Sequence, residues 1–88
     1  MSTAAKRDSA PRAVAVTVTD SAITAYLADG RTIAVPLAWS WRLAEATSAQ
    51  RQRWELIAGG TGIRWPDVDE DISVRGMLEG GPAPRRRS

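Results

Sequence analysis

The 88 residues contain neither cysteine nor histidine. Without cysteine there is no disulfide, no thiolate metal site and no thiol nucleophile. Without histidine the commonest general base, the usual transition-metal ligand and every Ser-His or Cys-His nucleophile system are excluded. Aromatics make up 6% of the chain; phenylalanine is absent and four of the aromatic residues are tryptophan. A domain of this size buries only about 60–65% of its unfolded surface, so the core is small and a second domain is excluded. No apolar run approaches the ~18 residues of a membrane span. The opening MSTAAKRDSAPRA lacks the apolar stretch of a secretory signal. The cytoplasm is therefore the expected setting.

The net charge of +2 hides an uneven distribution. Lys6, Arg7 and Arg12 oppose Asp8 at one end, and Arg85, Arg86 and Arg87 stand together at the other, which leaves −3 on residues 13–84. The body is mildly acidic and the basic character sits in the ends. Residues 1–12 read as a polar arm and residues 81–88 (GPAPRRRS) as a basic tail, with one folded domain over 13–80. Arginines in such ends can hold phosphates in a salt-dependent way.

Residues 13–19 (AVAVTVT) alternate with the period of a half-buried strand, with Val14, Val16 and Val18 on one face. A two-residue turn at Asp20-Ser21 sets Val18 opposite Ile23, Val16 opposite Ala25 and Val14 opposite Leu27. For the next hairpin, a two-residue loop at 29–30 puts Ile33 and Val35 on the wrong face. A three-residue loop at 28–30 pairs Ile33 with Ala25 and Val35 with Ile23, so a bulged turn with Gly30 in the left-handed region is expected. The third strand, 31–36, stops at Pro36. If that strand lies at an edge, a homodimer through it is conceivable.

Residues 37–46 read as one short helix with Ser40 a candidate cap. Thr47 to Gln50 fits a capping box for a second helix reaching about 53. WELIA (54–58) reads as a fourth strand with Trp54 and Leu56 inward, GGTG (59–62) as a turn and 63–65 as a fifth strand ended by Pro66. Ser73 caps a last helix, 74–79, with Val74, Met77 and Leu78 inward and Gly80 just beyond. The expected fold class is α+β: one small curled antiparallel sheet of about five strands with two or three short helices on one face.

Few residues carry chemistry. Asp67, Asp69, Glu70 and Asp71 invite a weak divalent-metal site, since hard cations take oxygen ligands. Their spacing is not that of an EF-hand. The preferred reading is that Asp67 or Asp71 caps a turn and the rest are solvated charge near a helix start. GGTG lacks the lysine of a phosphate loop. Trp39 and Trp41 flank Ser40 and cannot both face one core. A solvent-facing tryptophan with Arg42 and Arg51 nearby has the composition of a binding hot spot, and the same pair could stack on bases.

Several words of the sequence resemble a known family: Ala-Asp-Gly-Arg (28–31), Val-Pro-Leu (35–37), Leu-Ala-Glu-Ala-Thr (43–47), Gln-Arg-Gln-Arg-Trp-Glu-Leu (50–56), Gly-Thr-Gly-Ile-Arg-Trp-Pro (60–66) and Asp-Glu-Asp-Ile-Ser-Val (69–74). Over residues 13–80 the chain resembles the small bacterial family labelled domain of unknown function 2442. The resemblance implies a compact α+β fold and no known enzyme activity or catalytic residues. It also implies a gene beside a small partner, in toxin–antitoxin-like pairs and in mobile or phage-derived regions. Trp65, Pro66, Asp69, Glu70, Asp71 and Ile72 are its typical positions; the basic ends are not part of its pattern.

The expected function is a non-enzymatic protein-binding module, antitoxin-like or an inhibitor or adaptor, without cofactor. It would dock a protein partner (a toxin or a nucleic-acid enzyme) through Trp39, Trp41, Arg42, Arg51, Asp67, Asp69, Glu70 and Asp71. The alternatives are an accessory nucleic-acid-binding protein using the arginine-rich ends, and the weak metal site at 67–71.

Overall fold

Residues 10–80 are described by the computed structural model. The tail expected at 81–88 and most of the arm expected at 1–12 lie outside the described residues. Alternating β-branched and small residues build the first sheet from β1 (Ala13–Val18), β2 (Ala22–Leu27) and β3 (Thr32–Pro36), in the order β1-β2-β3. Val18 lies opposite Ile23 and Val16 opposite Ala25, while Ile33 pairs with Ala25 and Val35 with Ile23. The register expected from turn length is therefore present. Thr19 makes the first turn: its hydroxyl accepts the N–H groups of Ser21 and Ala22, at 3.2 and 3.1 Å. In the second turn Gly30 has φ +96° and donates its N–H to Leu27 O. Asp29 accepts the Arg31 N–H at 3.0 Å and the Arg31 Nε at 2.8 Å.

One face assignment changes at the start of β1. The register shifts between Ala13 and Ala15, so Ala13, not Val14, lies opposite Leu27. Val14 is 58% exposed and Ala13 is buried. The Gly60 backbone covers this point: a Cβ at Gly60 would lie 2.9 Å from Ala13 O. Main chain closes over the strand start, and a methyl rather than a valine takes the inward position.

The expected helix over 37–46 is two pieces. A 3-10 turn (Leu37–Trp39) follows Pro36, Ser40 is extended at φ −122°, ψ 100°, and α1 (Trp41–Ala44) begins after it. Ser40 does cap, accepting the Leu43 N–H at 3.2 Å, and that capping geometry breaks the helix. α2 (Ser48–Arg51) starts with the expected box: Thr47 accepts from Gln50 N, and the Gln50 side chain accepts from Thr47 N.

The rest of the chain departs from the expected single five-stranded sheet. β4 (Glu55–Ile57), β5 (Gly62–Trp65) and β6 (Glu70–Ser73) form a second three-stranded sheet in the order β4-β5-β6. The strand absent from the sequence reading is the acidic run itself. Its alternation is masked by charge, and partners on β5 stabilise it: Ile63 opposite Ile72, and Arg64 opposite Asp71. The hairpin turns through a 3-10 segment, Pro66–Val68, with Asp69 left-handed at φ 55°. α3 (Val74–Glu79) follows, with the Ser73 hydroxyl accepting the Gly76 N–H at 2.9 Å.

The two sheets and helices share one apolar cluster. Ile23, Leu43, Ile63, Trp65 and Val74 are its largest fully buried members, with Val16, Ala25, Leu27 and Met77 around them. Burial of each large member is worth roughly 1.5–3 kcal/mol. Leu56 and Leu78, expected inward, are exposed. Leu56 shares the Ile63 row but sits on edge strand β4, and α3 is too short for Leu78 to be covered.

Two measurements test this account. Gly30→Ala meets no atom within 4 Å and should cost about 1–2 kcal/mol from its left-handed backbone alone. Gly60→Ala adds overlap with Ala13 O and should cost at least about 1 kcal/mol more in urea unfolding. Equal losses would remove the close approach of the two sheets. The Asp29 carboxyl is held below its ordinary value of about 3.9, first by the Arg31 backbone N–H and then by the Arg31 guanidinium. A depressed carboxylate contributes stability above its ordinary value and loses it as pH falls through the folded value. Wild type should therefore lose more stability than Asp29→Asn between about pH 5 and pH 2; parallel acid titrations would refute this.

Candidate functional site

Ser40 places two distant segments in contact. Its buried hydroxyl donates to Glu70 Oε2 at 2.6 Å while accepting from Leu43 N. The other Glu70 oxygen accepts the Asp71 N–H at 3.1 Å. Arg42, two residues along, donates to the Asp69 carbonyl and stands 3.6 Å from the Asp69 carboxylate. The same guanidinium lies 5.2 Å from the centroid of the Trp41 ring, within cation–π range. From β5, Arg64 reaches Asp71 at 2.8 Å and Asp69 at 3.2 Å. Asp71 and then Asp69 raise the Arg64 pKa further above its ordinary value by hydrogen bonding. The left-handed backbone at Asp69, which aspartate tolerates better than most residues, turns the hairpin so that neighbouring carboxylates face different partners.

Six of the eight residues expected to bind a partner therefore lie together: Trp39, Trp41, Arg42, Asp69, Glu70 and Asp71. Trp39 is half-buried against the core, and Trp41 is half-buried on the next step of the chain. The other two lie elsewhere. Asp67 pairs with Arg53 at 2.9 Å. Arg51 is only 11% exposed and is engaged within the fold: Nε donates to Leu43 O at 2.9 Å, one terminal nitrogen to Ala44 O at 3.1 Å, and the other meets Asp20 at 2.8 Å. Sequence spacing carried no sign of this role, because its partners are carbonyls of the preceding helix.

Concave surfaces lie on both sides of the 39–42 segment. One is a groove of about 190 Å³. All four residues of β6 line it on one side, and Val35, Trp39 and Met77 supply apolar wall. Ile72 and Met77 are not among the expected site residues: Ile72 follows directly on the acidic run, and Met77 belongs to the core. The other is a shallower hollow of about 290 Å³ between Trp41, Arg42 and Val68.

The Ser40 hydroxyl is buried and shared between a helix cap and Glu70. The carboxylates of 67–71 diverge onto Arg53, Arg42, Arg64 and Ser40. Among the described residues no group of three acidic, histidine or cysteine side chains is placed to hold a metal ion. That geometry counts against the metal site considered at 67–71. No described helix is long and apolar enough to cross a membrane.

The fold is a small α+β domain of two three-stranded antiparallel sheets and short helices. The chain belongs to the family described as protein of unknown function (DUF2442), which it matches over residues 13–83. Two solved structures are similar to it. One is a crystal structure of a protein of unknown function from Rhodospirillum rubrum, 26% identical, TM-score 0.73, covering 85% of this chain and 93% of that one. The other is a solution NMR structure of an uncharacterized protein from Chromobacterium violaceum, 23% identical, TM-score 0.72, covering 90% of this chain and 72% of that one. The second likeness concerns fold alone. No match to a curated protein was found.

The division between scaffold and surface residues can be measured. Arg51→Ala removes charge-assisted hydrogen bonds to two helix carbonyls and should cost about 2–4 kcal/mol, and Arg51→Lys, lacking the planar fork, should recover less than half of it. Arg42→Ala, on the open side, should cost no more than about 1 kcal/mol in the same denaturation assay.

Proposed function

We propose that this protein is a non-enzymatic protein-binding module, antitoxin-like or adaptor-like, acting in the cytoplasm. Its docking face comprises Trp39, Trp41 and Arg42 with the 69–71 hairpin. The observation that supports this most is convergence. Residues 27 and 30 positions apart in sequence come together through Arg42–Asp69 and Ser40–Glu70, and the result is a ridge of tryptophan and arginine flanked by two hollows. Trp and Arg beside well-packed concave surface is the composition of interface hot spots. The acidic rim suits a basic partner surface, with charge steering the encounter and apolar contact holding the complex.

The nucleic-acid alternative finds little in the body. Arg31, Arg42, Arg51, Arg53, Arg64 and Arg75 each face a carboxylate. That reading rests on the arginines at the ends, almost all outside the described residues.

Affinity capture from the native host tests the docking face. A protein recovered with wild type should be lost with a Trp41→Ala, Arg42→Glu double variant and kept with Arg75→Ala on α3. Recovery indifferent to the double variant would remove this face from the function.

A further inference from the structure

The groove between β6 and α3 contains a carboxylate that is hydrogen-bonded but has no cation partner among the described residues. Glu70 is half-buried, and its carboxylate is held by the Ser40 hydroxyl and the Asp71 N–H. Among the described residues no arginine pairs with it, whereas Asp20, Asp29, Asp67, Asp69 and Asp71 all have one. Removing a carboxylate partly from water without a cation is costly. An ionised carboxylate also keeps acceptor capacity beyond two hydrogen bonds, so the site has room for a guanidinium.

Beside Glu70, Ser40, Asp71, Ser73 and Gly76, the groove has an apolar and aromatic wall. Ile23, Val35, Trp39, Ile72 and Met77 contribute to it. α3 forms one wall and ends at Gly80, beside Trp39: a Cβ at Gly80 would lie 3.4 Å from the Trp39 ring. The residues that follow are GPAPRRRS, with prolines at 82 and 84, arginines at 85, 86 and 87, and no acid. Proline-rich segments suit aromatic-lined grooves because little conformational freedom is lost on docking. An extended proline-type chain rises about 3.1 Å per residue, so Arg85 can reach roughly 16 Å from Gly80. The order of features matches: Gly80 emerges at Trp39, Trp39 adjoins Ser40, and Ser40 holds Glu70.

We propose that the groove is the docking site of the chain's own 81–88 segment, with Pro82 and Pro84 against Trp39 and Met77 and one of the arginines on Glu70. The segment would act as a built-in competitor that a partner must displace. The proposal rests on reading this face as a docking surface.

The chain is free of cysteine, so Ser88→Cys provides a single nitroxide site on the full-length protein. Amide signals of Ser40, Glu70, Asp71, Gly76 and Met77 should lose most of their intensity, while those of the 28–31 turn keep theirs. The loss should shrink in 1 M salt, where charge screening acts within about 3 Å. It should also shrink in Glu70→Gln, and in the variant carrying Arg85→Ser, Arg86→Ser and Arg87→Ser, which leaves the folded body untouched. Absent or uniform broadening, or broadening indifferent to both variants, overturns the proposal. So does broadening that persists undiminished when isotope-labelled, unmodified protein is mixed with spin-labelled protein, because the occupant is then a second copy. Groove broadening together with capture indifferent to Trp41 and Arg42 would instead keep the docked segment and reject the external partner.

Discussion

The buried indole of Trp65 and the carbonyl of Arg51 form the contact on which the arrangement of this protein depends. A large ring with no exposure needs a partner for its N–H, and Trp65 Nε1 finds it 3.1 Å away on Arg51 O. The same residue's guanidinium takes Leu43 O and Ala44 O, carbonyls at the end of α1, and reaches Asp20 in the first hairpin turn. One residue thus joins the second sheet, both central helices and the first sheet. In a domain with so small a core, this polar junction sets how the two sheets stand around Leu43.

The candidate site follows from that junction. With α1 anchored at its C-terminal end, the residues at its start have one position available, and Ser40 and Arg42 meet the β5–β6 hairpin there. The hairpin's acids are distributed over arginines from three elements, so a run that looks like a single patch of charge becomes a set of separate contacts. Glu70 differs, being held by hydrogen bonds without a cation at the mouth of an apolar groove. Its position is more specific than the charge density of the run suggests.

Much of the first sheet was legible from residues alone. Alternation placed Val16, Val18, Ile23, Ala25 and Leu27, and turn length distinguished two possible registers for β3. Both features are local, acting over a few residues of chain. Val14 escaped because its displacement comes from Gly60, far along the chain, closing over Ala13. The second sheet was less legible: β4 and β5 follow from the residues, but β6 is four residues long, too short for periodicity to rise above a run of charges. Leu56 pointed the expected way, yet an edge position leaves it open to solvent.

The division for the site runs along the same line. Composition excluded cysteine and histidine chemistry and marked tryptophan as unusual, and local residue order marked the acidic run and set the caps at Ser40, Thr47 and Ser73, because capping depends on neighbours three residues away. Only the tertiary structure assigned Arg51 to the scaffold, divided the acids among their arginines, and placed Glu70 beside Ser40 in a groove. Those are contacts between residues 5 to 31 positions apart, and most of them depend on how the two sheets pack, which no local pattern encodes.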